Sequence, residues 1–573
     1  MNPNPRRPGA GERSEAVEPD QHGNSASTAT AATAFSCWLD AFFASYYRRR
    51  PVNATFVGVH GYDDRLPDLS EAGCADTAAE AAGLLAQLRA LPTEQLNTAE
   101  RLDRQLAEGF LEIQAWEASS RHFAWGNPSL QTGEAVFGVL SLLLRPFAPL
   151  AERLDHATAR LDAILRLLDD GRALVHDAPA AWCARAQREC AGAALLLGDG
   201  LDRLLHAERI THGGLRQAAD TARDAFARFD AFIASDLVPR APPAYACGAE
   251  AYDLLLRRGH FLETSADHLE TLALERMAEE EAALASGGTG PEQPAALASG
   301  PRRDASTAPS NSPYLERFGE LWQRARDTAV AAEVLTFPNW PVRYVEQPAW
   351  VRDAAPAFYF LPYRSPAPFD STPVVDYFVP PTADDSTIKL NHVIHHGSLG
   401  HHVQNWHAAR AASRIGQMAA VDCAARIAML CGGTLAEGWA CYATDLAEEL
   451  GMLTPAERVA QHSARLRMAA RTVVDVRLHH GRLTLDAAAD FYRQRVGMSD
   501  SAAHAEAVKN SLFPGTACMY LAGWDGIWRL RRESRSANMT LRQFHDRLLA
   551  FGSVPVSLVG RTMRESSTVL AKG

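Results

Sequence analysis

The sequence predicts a mainly α-helical protein with one small β-sheet placed just before a dense histidine cluster. Three observations predict this class. Apolar residues recur at three-and-four spacing in one segment after another, the period of a helix with one buried face. Alanine, the best intrinsic helix former, is abundant throughout. One stretch, residues 337–382, breaks the pattern with prolines, aromatics and short β-branched runs.

Residues 1–33 are rich in Pro, Gly, Ser, Thr and charge, so they read as a disordered tail. The tail has no apolar core segment, so no secretory signal is expected. From Phe35 a helical face begins with Trp38, Leu39, Phe42, Phe43 and Tyr46. Asn97-Thr98-Ala99-Glu100 has the form of a capping box, followed by the stripe Leu102, Leu106, Phe110, Ile113 and Trp116. A further stripe, Leu154, Leu161, Ile164, Leu165 and Leu168, stops near Gly171 and Pro179. These belong to an N-terminal helical region, 35–285. Residues 286–312 lack periodicity and are Gly/Pro/Ser/Ala-rich, the composition of a flexible insertion.

The remainder, 313–565, holds the sheet, the histidines and further helices, and is expected to continue one fold with 35–285. Ala357-Phe358-Tyr359-Phe360-Leu361 and Val374-Val375-Asp376-Tyr377-Phe378-Val379 suit strands confined by proline to edges or ends. Thr454-Pro455-Ala456-Glu457 is a well-formed helix start. The helix it opens can run through Val473 to Asp475 and His479. No repeat of solenoid period is present.

Composition narrows the function classes. With 57 basic and 68 acidic residues the formal charge is −11, which argues against nucleic acid as a partner. The longest apolar runs are far shorter than the ~20 residues needed to span a bilayer, so no membrane partner is expected. Nine scattered cysteines without a C-x-x-C pair suit reduced thiols in a cytoplasm. A peptide or small-molecule substrate is left as the expected partner.

The chemistry concentrates in Asn391-His392-Val393-Ile394-His395-His396-Gly397-Ser398-Leu399-Gly400-His401-His402. Five of the twenty histidines fall in eleven positions, with His407 close behind. Neutral imidazole is the commonest protein metal ligand and titrates nearest neutral pH, so the cluster reads as a metal or acid–base site. His392 and His396 have the spacing of H-E-x-x-H, but Val393 stands where the glutamate would be. His395 and His401 are six apart, which no undistorted helix places on one face. Gly397 and Gly400 between them allow the backbone to break and bring both imidazoles to one ion. His395 and His402 share a face but lie about 10 Å apart along a straight axis.

Glu437, in Thr434-Leu435-Ala436-Glu437-Gly438-Trp439, offers a third ligand from a second helix. Equally, Thr434-x-x-Glu437 is a capping box in which Glu437 returns to the Thr434 amide. His396-Gly397-Ser398-Leu399-Gly400 approaches the nucleophile elbow G-x-S-x-G, with histidine at the first glycine position and no strong strand before it. Asp475 and His479, one helical turn apart, form either a structural hydrogen bond or a catalytic acid with its orienting group. Arg529, Arg531, Arg532 and Arg535 read as a solvated face.

Five ordered segments resemble the bacterial "domain of unknown function 885" family, a family of zincin-like, metallopeptidase-like proteins. They are His395 to Gln404, Glu437-Gly438-Trp439-Ala440-Cys441-Tyr442, Val473 to His479, Pro514-Gly515-Thr516-Ala517-Cys518-Met519-Tyr520, and Phe544 to Pro555. Ala54 to Asp63 is also similar to the family, and the resemblance spans about residues 35 to 565. It implies a large multi-helix zincin-like architecture and a divalent metal, zinc, on His395, His401 and Glu437. Where the family carries glutamate after the first histidine this chain has His396, and an Arg-Tyr pair of the family stands here as Lys509-Asn510.

Two functions follow as expectations. One is a metal-dependent hydrolase of a peptide, amide or related bond. In it His396 handles the proton of water, and His479 (held by Asp475) with Lys509 or Tyr520 steadies the oxyanion. The other is a metal- or ligand-binding homologue that has lost the base, with His396 closing the open coordination position.

Overall fold

The computed structural model describes residues 25–286, 313–358, 369, 375–418, 432–536 and 538–570. Helices dominate them, and the helical stripes read from the sequence are the buried faces. The first helix, Ser25–Arg49, starts inside the segment assigned to the tail and buries Phe35, Trp38, Leu39, Phe42 and Tyr46. The earlier part of that tail lies outside the described residues, as does the insertion 286–312 apart from Ser286, which ends the helix Ala266–Ser286. Both halves of the Asn97 capping box form, as do both halves of the one at Thr454. The helix opened at Thr454 is Pro455–His479, as the periodicity predicts.

One contiguous apolar core takes Phe42, Leu161 and Trp182 from the first half and Val403, Trp439 and Leu548 from the second. Buried polar contacts cross between the halves as well. The Trp182 indole donates to Ser511 Oγ (2.8 Å), and Asp103 accepts from Ser413 Oγ (2.6 Å) and from the amides of Arg414 and Ile415. The Ala54–Asp63 segment is a second polar knot. Asp63 accepts from Thr55 and pairs with His60, while buried Arg160 donates to Thr55 Oγ1. No described helix is long and apolar enough to cross a membrane.

The sheet has two strands, β1 (Val342–Glu346) and β2 (Val375–Val379), paired in parallel from Val342↔Val375 to Glu346↔Val379. β2 matches the run read from the sequence. Ala357 instead closes the short 3₁₀ turn Ala355–Ala357, because Pro356 favours a tight turn over a ladder position, and residues 359–361 lie outside the described residues. Val375, Tyr377 and Val379 pack with Phe318, Leu321, Ile388 and Val393. The sheet, the helix Pro313–Ala331 and the histidine segment thus share one apolar cluster, and Phe318 of that helix also lies against His392.

Helices Gly433–Glu449 and Met519–Ser536 meet glycine against glycine. A Cβ on Gly438 would strike the Gly523 backbone, and one on Gly523 would overlap the Thr434 carbonyl. That close approach brings Glu437 and Tyr520, on the two helices, into one neighbourhood.

Candidate metal centre

The histidine segment is two helical pieces with a break between them. A wide-turn helical run, Ile388–Ser398, ends in a backbone that is no longer helical at Gly397 (φ −107°, ψ −112°). Gly400 (φ −91°, ψ −122°) then caps a new helix, His401–Ala408. The Gly400 amide donates back to Ile394 O at 2.9 Å, and a methyl group on Gly400 would overlap the His395 carbonyl oxygen. The chain therefore folds onto itself between the two histidines. It sets the rings of His395 and His401 5.0 Å apart and nearly perpendicular.

Glu437 meets both. Its Oε2 lies 3.5 Å from His395 Nε2 and 3.5 Å from His401 Nε2. Two ligands on one zinc, with bonds of about 2.05 Å at the tetrahedral angle, are about 3.3 Å apart, so these spacings fit a shared ion. His396 joins the group, since ligand atoms of His395, His396 and His401 all lie within 4.8 Å of one another. Among the described residues this is the one cluster of three His, Cys, Asp or Glu side chains with such spacing.

The capping alternative for Glu437 is not what forms. The helix is capped by Gly432 in a left-handed conformation, and Thr434 Oγ1 accepts from the Val556 amide instead. Glu437 points at the histidines.

Burial lowers the pKa of His395, with Glu437 pulling the other way, and it lowers that of His396 further, aided by His395 and His401. Neutral imidazoles with available lone pairs are the state a metal requires. For Glu437, burial opposes ionisation, but facing His401 and His395 outweighs it and holds the carboxyl well below the usual range.

Tyr377, on β2, orients the cluster from behind. Its hydroxyl lies 2.6 Å from His392 Nδ1 and 3.1 Å from His396 Nδ1. One hydroxyl proton can serve only one of them, so the other imidazole must donate its N–H to the tyrosine oxygen. When His396 is that donor, its Nε2 carries the lone pair. The remaining histidines are anchors: His402 Nε2 bonds Trp340 O and His407 Nε2 bonds Thr336 O, both at 3.1 Å. Ser398 is buried and donates to Val393 O, an arrangement that spends its hydroxyl on the backbone.

Asp475 and His479 are brought together but belong to another polar cluster. Asp475 Oδ1 is 3.6 Å from His479 Nε2, and both side chains are fully buried. The carboxylate accepts from the Gly515 and Cys518 amides and from Tyr252 OH. The His479 Nε2–H donates to Asn510 O at 2.9 Å. The pair thus holds the turn that precedes Tyr520. Burial raises Asp475 to about 7 and lowers His479 to about 4.

Tyr520 itself is electrostatically coupled to Glu437 and kept protonated by burial, and its ring lies 5.1 Å from the Arg471 guanidinium. Arg471, which also acts on His395, was not singled out by the sequence reading. The signal was there as a four-residue ladder of polar side chains, Arg467, Arg471, Asp475 and His479, along one helix. Arg471 forms a bidentate pair with Glu506 (2.7 and 3.1 Å), and Lys509 acts on that same carboxylate.

The sequence profile of a bacterial protein family of unknown function (DUF885) matches residues 51–563. No curated protein matches the chain. Two solved structures are similar in fold. One is a candidate lipoprotein of unknown function from Shewanella oneidensis, with TM-score 0.69 and 18% identity, covering 92% of this chain and 99% of that one. The other is a candidate lipoprotein from Colwellia psychrerythraea, with TM-score 0.67 and 18% identity, covering 94% and 99%.

Proposed function

This chain belongs to the bacterial family of unknown function DUF885, and within it we propose a metal-dependent hydrolase acting on a peptide, amide or related bond. The observation that carries the reading is the convergence of His395 Nε2 and His401 Nε2 on one oxygen of Glu437, each at 3.5 Å. These three side chains would hold a divalent ion, zinc by its preference for nitrogen and carboxylate ligands at four-coordinate sites. Such an ion supplies Lewis acidity and makes water a usable nucleophile near neutral pH.

His396 takes the water's proton at Nε2, with Nδ1–H held against Tyr377, whose hydroxyl in turn donates to His392. Tyr520, protonated at neutral pH, donates its hydroxyl to the oxygen that gains charge. Asp475 and His479 act at one remove, fixing the turn from which Tyr520 projects. The scattered cysteines support a cytoplasmic location, which cell fractionation tests directly.

A second reading is a metal-binding homologue without turnover. It is favoured by the closeness of His396 to the other two histidines, which would let it fill the fourth coordination position.

The test is metal analysis of the purified protein followed by a peptide and amide panel. One zinc per chain is expected in wild type and in His396→Ala, and none in His395→Ala. Hydrolysis should fall ~10²-fold or more in His396→Ala if that imidazole is the base. Absence of metal overturns both readings. Metal without turnover, revived by His396→Glu, selects the second.

A further inference from the structure

The break between the two histidines frees a carbonyl that the fold must satisfy. Leu399 lies outside both helical pieces, and among the described residues no backbone amide donates to its oxygen. The fully buried Trp439 indole donates to it instead, at 2.9 Å. Trp439 stands two residues after Glu437 on Gly433–Glu449. Residues two apart do not share a helix face, so this is a grip on the segment separate from that of Glu437. The indole is itself boxed in, its ring meeting that of His545 edge-on with 5.2 Å between centres. His545 is fixed in turn, donating from Nδ1 to Val334 O and accepting at Nε2 from the Tyr442 hydroxyl, both at 2.7 Å.

A second tie runs through residues 552–556. Gln404, three residues after His401 on the same helix, donates its amide to Ser553 Oγ at 2.9 Å. Three residues before Glu437, Thr434 Oγ1 accepts from the Val556 amide at 3.2 Å. A Cβ on Gly432, which caps that helix, would strike the Ser553 carbonyl, so the loop lies directly on the helix start. Gln404 and Thr434 thus each sit within one turn of a ligand, on the helix that carries it. Both are buried, as is Ser553, so water does not replace a bond lost there.

We propose that Trp439 and Ser553 are positioning residues that set the gap between the His395–His401 segment and Glu437, holding the three side chains at ligand spacing before an ion arrives. Trp439 fastens the break to the glutamate helix directly, and Ser553 fastens the His401 helix to it through the loop. Both act on the backbone and neighbours of the ligands. The role in metal binding rests on the reading of His395, His401 and Glu437 as ligands. The holding of the break does not.

The test uses the full chain in three variants. In the first, Trp439 is replaced by benzothienylalanine, which keeps the shape of the indole and lacks its N–H. The second is Ser553→Ala. The third, Trp182→Phe, is a control that removes an equally buried indole and its bond to Ser511. Zinc affinity is read by competition with a chelating dye, cobalt geometry by visible absorption, and backbone opening of residues 394–404 by hydrogen exchange of the chelator-treated protein. The first two variants should each lose about tenfold in zinc affinity, alter the cobalt spectrum and exchange about tenfold faster over 394–404. Their melting points should fall no further than that of Trp182→Phe, which keeps wild-type affinity, spectrum and exchange in that segment. Affinity and exchange unchanged in both variants, or falling in step with melting point across all three, overturns the proposal. If wild type takes up no zinc, the metal reading fails, and exchange alone decides the tether: faster opening in the two variants retains it and unchanged opening removes it.

Discussion

Gly400 lies against the carbonyl of His395 so closely that no side chain can stand between them. That contact turns a six-residue separation in sequence into a pair of imidazoles 5.0 Å apart. A methyl group at position 400 must push the His395 backbone, and the two nitrogens no longer meet at Glu437. Gly400→Ala should cost 10–100-fold or more in zinc affinity, on the order of what misoriented ligands cost elsewhere. Competition with a chelating dye measures it. Wild-type affinity in this variant would show that the break is not what assembles the site.

Tyr377→Phe removes the hydroxyl that His392 and His396 share and leaves the ring packed against Tyr344 and Phe318's cluster. The fold should survive with a melting temperature close to wild type. His396 loses its orienting partner, so zinc affinity or hydrolysis should fall about tenfold, and the pH profile of the activity should shift. A changed melting temperature with unchanged chemistry would make Tyr377 purely a packing residue.

Asp475→Asn should destabilise the protein by about 1–3 kcal/mol, because two buried amides and the Tyr252 hydroxyl lose a doubly accepting carboxylate. Urea unfolding measures this. Zinc content should stay at the wild-type level, since the pair contacts none of the proposed ligands in its hydrogen bonding. Loss of zinc with unchanged stability would place Asp475 in the metal centre instead.

Acid should unfold this protein early. Burial holds His392, His402 and His479 at about 4 and His545 at about 3, against 6.5 for the unfolded chain. Between pH 6.5 and 4 the unfolded chain therefore binds up to four protons that the folded one refuses, and stability present above 6.5 is lost as pH falls. Asp475 works in the opposite sense. Its folded value of about 7 lies above 3.8, so over the same window the folded chain holds one extra proton. The buried histidines outweigh the one carboxyl, so the net effect is a loss of stability as pH falls through this window. Urea midpoints at pH 7.5, 5.5 and 4.5 test this, and a flat profile would contradict the burial of these rings.

Local signals were legible along the chain because they depend only on neighbours. The Asn97 and Thr454 capping boxes, the Phe35 and Leu154 stripes and the β2 run are each encoded within a few residues, and each forms as read among the described residues, β2 over Val375–Val379. Ala357 went astray because a proline beside it favours a turn over the strand its neighbours suggest. The Ser25 start of the first helix escaped notice because its alanines offer helix propensity without an apolar stripe.

The amino-acid order alone determined that histidines would crowd one glycine-interrupted segment and that a helix bearing Asp475 and His479 would follow. Only the folded chain decided between the two fates of Glu437. A capping box and a shared ligand position have the same local sequence, and Gly432 and Val556 settle the matter from outside that segment. The placement of Tyr377 behind His396, and of Arg471 beside His395, was likewise beyond a linear reading. Those contacts join residues made neighbours by strand pairing and helix packing, and no short-range spacing encodes them.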